Sequence, residues 1–429
     1  MKLVDVISLG CSKNLVDSEK LMAQLRANNI TVAHDSENPK GEVAIINTCG
    51  FIGDAKEESI NTILQFAEAK QRGKLKKLYV MGCLSERYRA ELSEQIPEVD
   101  KFYGKFDWGG IIQELGATFR RDLMNERSLT TPAHYAYLKI SEGCNRKCSY
   151  CAIPIITGPH TSRPFDEIVD EVRRLADRGV KELQVIAQDL SSYGTDLYKK
   201  NRLADLVNAI AEVNGIEWVR LHYAYPAGFP HDLLDVMASN PKVCKYLDLA
   251  LQHSSDRMLK TMLRHISKAQ TVELLDEIRH RVPGIHLRTT LITGHPGETE
   301  EDFADLMDFV RTQRFERLGV FTYSHEEDTY AWNHYEDNIP EEVKQDRADS
   351  IMSLQEGISA EINAAKVGQT LKVIIDRKEA GHFVGRTEFD SPEVDPEVVV
   401  HGNARVGDFS MVKITSSEDY DLIGDVVPQ

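Results

Sequence analysis

Several things are missing from this 429-residue chain, and each shortage removes a class of protein. No uninterrupted apolar run approaches the ~20 residues that a membrane-spanning helix needs, so membrane-embedded functions are set aside. The opening "MKLVDVISLG" reads as a strand carrying Asp5, without the apolar core or small-residue cleavage site of an export signal. A cytoplasmic protein with reduced thiols is expected. Low-complexity tracts are also missing, and 41% apolar with 28% charged residues is a globular composition. Basic residues are outnumbered, 51 Lys and Arg against 68 Asp and Glu, for a net charge of -17. Such a chain repels polyanions unless basic surface is segregated locally, and a basic partner fits it at least as well. Cysteine is scarce, with only seven in the chain. In a reducing compartment, clustered cysteines serve metal or redox chemistry rather than disulfides.

At 48.4 kDa the chain is too long for one ordinary core, and its grammar changes twice. Over residues 1–130, strand-like runs at 3–9, 43–47 and 78–82 alternate with helical segments such as 53–71, which predicts an α/β domain with a parallel sheet. Over 131–362, six further runs (135–140, 182–187, 217–223, 246–251, 286–292 and 317–323) are separated by helical stretches. Six βα units in series predict a partial (β/α)6 barrel, open on one side to a bulky substrate. Residues 340–366 read as a charged connecting helix. From 363 to 429 the pattern becomes short β runs broken by Gly, Pro and Asp, predicting a small OB-like β-barrel.

Three of the seven cysteines lie within "SEGCNRKCSYCAIP" (141–154), as Cys144, Cys148 and Cys151. They follow the first strand of the barrel segment, on the face where such folds place their chemistry. Zinc prefers a closed tetrahedron, and no further Cys or His stands at short spacing behind Cys151; His160 lies past two prolines and a glycine. A four-iron cubane held by three thiolates leaves one iron free to chelate a small molecule. Cys-x3-Cys-x2-Cys, with the aromatic Tyr150 before its last cysteine, resembles the signature of the radical S-adenosylmethionine (SAM) enzymes. That resemblance implies a [4Fe-4S] cluster that reduces bound SAM to methionine and a 5′-deoxyadenosyl radical. It also implies that Tyr150 lies near the adenine.

Cys11, Cys49 and Cys83 share one setting, since each ends a strand, in "VISLGC", "AIINTC" and "YVMGC". Carboxyl ends of parallel strands line up along one edge, so three thiols distant in sequence converge there and form a second candidate cluster site. Cys244, without companions, is expected in the core. The segments "LGCSKNLVDSE", "NTCGFIGDAKEESI", "MGCLSERY", "YLKISEGCNRKCSYCAIP" and "TSRP", in this order, resemble the methylthiotransferases. These are radical SAM enzymes with an N-terminal second-cluster domain and a C-terminal TRAM barrel. The resemblance divides the chain into a methylthiotransferase domain (1–130), a radical SAM domain (131–362) and a TRAM domain (363–429).

One branch of that family modifies an adenosine of transfer RNA, and the other the β-carbon of an aspartate in the twelfth ribosomal small-subunit protein. "GCSKNLVDSE", "CGFIGDAKEES" and "YSHEEDTYAW" are similar to the second branch, with Ser12 and Asp328 in place of its usual proline and glycine. Thr157 and His160 stand where relatives are often basic. From Lys366 to Gln429, seven Lys or Arg face twelve Asp or Glu, so the small barrel is a poor RNA clamp and suits a basic ribosomal protein.

The resemblance implies two [4Fe-4S] clusters, two roles for SAM and an electron donor of flavodoxin-like or equivalent kind. One SAM methylates a sulfur carried at the Cys11, Cys49 and Cys83 cluster, and another is cleaved at the Cys144, Cys148 and Cys151 cluster. Strand ends supply secondary SAM-binding candidates: Gln188 and Asp189, Gln252 and His253, Arg288 for the methionine carboxylate, and the Gly294–Gly297 turn for the adenine. For His253 an ordinary core-edge position is as good a reading. The rival readings are transfer-RNA methylthiolation and, from another class, a non-catalytic iron-sulfur adaptor that binds RNA or the ribosome.

Overall fold

The computed structural model describes residues 3–428. Its first five strands, Leu3–Ser8 (β1), Thr31–His34 (β2), Val43–Thr48 (β3), Lys77–Gly82 (β4) and Lys101–Phe102 (β5), form a parallel sheet in the order β2-β1-β3-β4-β5. Every residue of β3 and five of six in β4 are buried, as expected of a sheet covered by helices on both faces. The sequence pattern found β1, β3 and β4 but not β2, a half-exposed edge, or β5, two residues long. Order reverses between β1 and β3, the switch point where such sheets bind ligands. Helix α1 (Ser12–Ala27) follows β1 and buries polar Asn14, Asp17, Ser18, Glu19 and Gln24, because it is sandwiched between this sheet and the central barrel.

The central unit contains strands Tyr135–Lys139 (β6), Ser141–Glu142 (β7), Thr161–Ser162 (β8), Glu182–Ile186 (β9), Trp218–Ala224 (β10), Val243–Gln252 (β11), His286–Thr293 (β12) and Arg317–Thr322 (β13). β7 and β8 pair as a small hairpin at the foot of the cysteine loop. The other six form one parallel sheet in the order β13-β12-β11-β10-β9-β6, an unclosed barrel as the alternation predicts. Its core includes Leu138, Val185, Leu221, Leu247 and Leu287. Register slips between β10 and β11 near Ala224, and between β11 and β12 near Gln252. Bulges of this kind re-aim side chains at barrel rims. The connecting helix, Glu341–Ala364, packs along β12 and β13 and covers that edge. No helix among the described residues is long and apolar enough to cross a membrane.

All five short β runs of the last segment become strands: Thr370–Glu379 (β14), His382–Thr387 (β15), Val398–His401 (β16), Phe409–Ser417 (β17) and Leu422–Val426 (β18). They close as β14-β15-β16-β18-β17 around Val373, Ile375, Val398, Val400, Val412 and Ile414. This barrel docks on the amino-terminal mouth of the large one through buried charge. Glu182, on β9, is held by Arg220 at 3.0 Å and by Arg386 of the small barrel at 2.7 Å. The segment after β15 enters the same mouth: Asp390 pairs with Arg317, Asp395 with Arg288, and Glu393 accepts hydrogen bonds from the hydroxyls of Tyr135 and Tyr137. Several acids counted as surface charge therefore face inward, so the net charge of this segment overstates its free acidic surface.

Removing one member of a buried charge network leaves its partners uncompensated in a low dielectric. Glu182→Gln is expected to cost ~3 kcal/mol of docking stability, read as an earlier transition in urea unfolding. An unchanged unfolding profile would show that the network does not hold the two barrels together.

Candidate functional site

The amino-terminal sheet presents its carboxyl edge as three loops in contact. Cys11 follows β1, Cys49 follows β3 and Cys83 follows β4. At Gly10 (φ +85°) a Cβ would lie 2.5 Å from the Cys49 Cβ and 2.8 Å from its Sγ, so only glycine lets these two loops meet. Asn14, buried in the first turn of α1, ties all three: its Nδ2 donates to the carbonyls of Leu9 at 3.1 Å and Thr48 at 2.9 Å, and its Oδ1 lies 3.5 Å from the Cys83 Sγ. Ser59 clamps the Cys49 backbone, accepting from its N–H and donating to its carbonyl at 3.0 Å each.

The second set lies on the loop that leaves β7. Gly143 (φ +75°) has no room for a Cβ, which would fall 2.2 Å from the Pro159 carbonyl oxygen, and this close approach folds the loop back on itself. The Arg146 N–H approaches Cys144 Sγ at 3.4 Å, and the Arg264 guanidinium reaches Cys148 Sγ at 3.3 Å and the Tyr150 hydroxyl at 3.2 Å. Both guanidinium carbons stand 4.1 Å from the Tyr225 ring centroid, so this tyrosine fixes two cations beside the thiols.

The two sets meet. All six cysteines line one cavity of about 440 Å³, together with Tyr150, Gln188 and Gln252. A larger groove of about 640 Å³ on the outer face of helices Phe165–Asp177 and Leu203–Ala211 carries no thiol. Cys244 lies instead in a core cluster with Trp218 and Tyr246. Asp189 also lines the cavity and holds Arg146 at 2.9 Å.

Two expected SAM contacts stand elsewhere. Arg288 does not reach the cavity: it is held by Asp248 at 3.4 Å and Asp395 at 3.2 Å. Alternation put it on the right face of β12, but Thr290 and Ile292, nearer the carboxyl end, are the residues that line. Gly294 serves packing, since a Cβ there would lie 2.2 Å from Lys344 Cγ of the connecting helix. His253 is a buried turn organiser whose Nδ1 accepts from the N–H groups of Ser254 and Ser255. His160 bonds the Ser162 hydroxyl, and Thr157 lines the cavity. Asp328, in place of the usual glycine, adopts φ +63°, a left-handed conformation that an aspartate tolerates better than most residues.

Sequence reading missed Arg264, Tyr225 and Asn14. Only Asn14 carried a signal, its place three residues after Cys11. It also missed the use of Glu326, whose Oε2 receives both Lys56 and Arg87 at 2.8 Å and so clasps the amino-terminal domain to the end of β13.

The seven cysteines are free thiols. Burial pushes Cys49 and Cys144 up to about 11 and Cys83 to about 12, and raises Cys151 as well. Apolar walls thus disfavour bare thiolates, and a bound cation is what would draw these protons off. Buried Lys105, 2.7 Å from Glu142, adds positive charge that opposes the rise at Cys83. Among the described residues no three His, Cys, Asp or Glu converge on a point suited to a single ion. A cubane asks for a different geometry, one thiolate at each of three separate irons.

Residues 138–310 match the radical SAM superfamily, 3–104 an uncharacterized protein family (UPF0004) and 367–427 the TRAM domain. Among solved structures, the radical SAM methyltransferase TsrM from Kitasatospora setae, with cobalamin and a [4Fe-4S] cluster bound, aligns at TM-score 0.52 and 13% identity over 75% of this chain and 72% of that one. The cobalamin-dependent SAM radical enzyme OxsB aligns at 0.53 and 12%, over 83% and 56%. These likenesses carry the fold alone. Ribosomal protein uS12 methylthiotransferase RimO of Bacteroides thetaiotaomicron is 62% identical, covering 99% of this chain and 98% of its own. The chain belongs to the RimO family of radical SAM methylthiotransferases. The enzyme of the same name from Porphyromonas gingivalis is 60% identical over 99% of both chains. Membership of the RimO family brings SAM and [4Fe-4S] clusters as cofactors.

If each thiol trio holds its own cluster, replacing Cys144, Cys148 and Cys151 by Ala is expected to leave about four irons per chain after anaerobic reconstitution. Replacing Cys11, Cys49 and Cys83 should do the same, and replacing all six should leave none. A trio whose loss removes no iron, by elemental analysis, would contradict the assignment.

Proposed function

We propose that this enzyme transfers a methylthio group to the β-carbon of an aspartate in ribosomal protein uS12, with Cys11, Cys49 and Cys83 holding one [4Fe-4S] cluster and Cys144, Cys148 and Cys151 the other. The observation that carries this reading is the single cavity lined by both trios. A carbon radical must meet its sulfur donor within contact range before water or another hydrogen donor quenches it. When bound, the clusters supply one-electron reduction of SAM on one side of the cavity and a sulfur-carrying iron on the other.

The chain's own residues orient and exclude. Arg264 fixes Tyr150 within the cysteine loop through its hydroxyl, and Gln188 and Gln252 add neutral polar atoms to the cavity wall. Glu142 keeps Lys105 and Gln188 in place from the barrel side. A division of labour at residues 130/131 and 362/363 follows: second cluster, radical chemistry and, in the small barrel, partner docking. A cytoplasmic setting and a flavodoxin-like electron donor complete the proposal.

The test incubates the anaerobically reconstituted enzyme, SAM and reductant with purified uS12 and, separately, with unmodified transfer RNA, both read by mass spectrometry. A methylthio adduct on an aspartate of uS12 and none on RNA is expected. An adduct on adenosine alone would move the enzyme to the other branch. Absence of 5′-deoxyadenosine in both reactions would point to a non-catalytic adaptor.

A further inference from the structure

Four cations line the cavity, and three have partners. Lys105 is paired with Glu142 at 2.7 Å, Arg146 with Asp189 at 2.9 Å, and Arg264 with Cys148 Sγ and the Tyr150 hydroxyl at 3.3 and 3.2 Å. The Lys13 side chain makes no hydrogen bond or ion pair among the described residues; its Nζ stands 3.6 Å from the centroid of the Tyr223 ring. An ammonium over an aromatic face is held in place while its three N–H donors stay available.

The platform itself is strained. Tyr223 has φ +65°, a left-handed backbone that a bulky residue rarely adopts, at the point where β10 slips register against β11. Strain of this kind persists only where the surroundings over-determine it, and it gathers at ligand sites. Asp248, a nearby acid of the cavity, is paired with Arg288 and feels the Lys13 charge only through space, with no ion pair between them. Lys13 is therefore a positioned cation in a largely apolar chamber, awaiting an anion. It lies two residues from Cys11, on the side of the Cys11, Cys49 and Cys83 trio, whereas Arg264 stands against the other trio.

We propose that Lys13 captures the side-chain carboxylate of the acceptor aspartate, with Tyr223 holding the ammonium in position, so that the adjacent β-carbon is presented between the two thiol trios. This rests on the aspartate acceptor of the proposed function. SAM also carries a carboxylate, and the SAM-affinity arm of the test separates it from the acceptor.

The test uses the full-length, anaerobically reconstituted enzyme as wild type, Lys13→Met and Lys13→Arg. Its probes are purified uS12, the same protein with the acceptor aspartate changed to asparagine, and SAM. A charge-assisted contact in a desolvated site predicts that wild type binds the aspartate form about tenfold more tightly than the asparagine form. Lys13→Met should bind both forms alike, at the weaker level, and Lys13→Arg should keep most of the preference. SAM affinity should be unchanged in all three. Equal binding of both forms by wild type would overturn the proposal, and this arm needs no enzyme variant to fold. Retained preference in Lys13→Met would also overturn it, as would a tenfold loss of SAM affinity with the preference intact, which would assign the lysine to SAM. Failure of wild type to modify uS12 at all would strike the proposed function. Normal modification with an unaltered preference in Lys13→Met would strike this inference alone.

Discussion

Lys139 ties the amino-terminal sheet to the barrel sheet through buried charge. It ends β6, is buried, and bonds Asp17 of α1 and Glu142 of β7. Burial alone would lower its pKa, but these two carboxylates reverse the direction and keep it charged. Asp17 lies one helical turn beyond Lys13 and Asn14, and Glu142 lies two residues before Cys144. One buried ammonium therefore links the helix behind the first trio to the hairpin before the second. Loss of such a group leaves Asp17 in a low dielectric without its counter-charge and Glu142 with Lys105 alone, which is why the contact cannot be given up piecemeal.

A second constraint comes from where folds place their ligands. Open parallel sheets and βα barrels both bind at the carboxyl ends of their strands. Two such units share one site only if these ends face each other, and that is the arrangement here. The opposite end of the barrel is then free for packing, and the TRAM barrel fills it through Asp390, Glu393 and Asp395. Acidity that reads as a lure for a basic partner is, in these residues, the inner surface of a domain contact.

The legible parts of the fold and the site are those encoded locally. Six barrel strands and five TRAM strands stand close to where their apolar runs predict, because each run is bounded by turn residues within a short window. Cys11, Cys49 and Cys83 were traceable because each follows its strand directly. Depth along a strand was not traceable: Arg288 and Thr290 share a face of β12, and only the assembled barrel shows which one meets the cavity. Arg264 follows a short helix and reaches Cys148 across a gap of 116 residues, with no strand end to announce it. Asp328 shows the converse case, a departure from pattern that the backbone absorbs.

The expected opening in the six-stranded barrel is bridged at its carboxyl end rather than left free. The amino-terminal domain grips the β6 edge through α1 and Lys139, and the β13 edge through Lys56 and Arg87 on Glu326. It therefore spans the gap between the two edge strands and supplies the missing wall of the chamber. Apolar Phe51, 37% exposed, and Phe321, 54% exposed, line the cavity from these two units and still meet solvent, which marks the mouth between them. Apolar lips suit an inserted polypeptide loop better than a nucleic-acid duplex, whose charged backbone would have to be stripped of water to pass them. Among the described residues that line the cavity, Lys13 is the cation whose side chain has no hydrogen bond or ion pair. If Lys13 captures a carboxylate as proposed, the chamber would sort its substrate twice, first by the polarity of the rim and then by that charge.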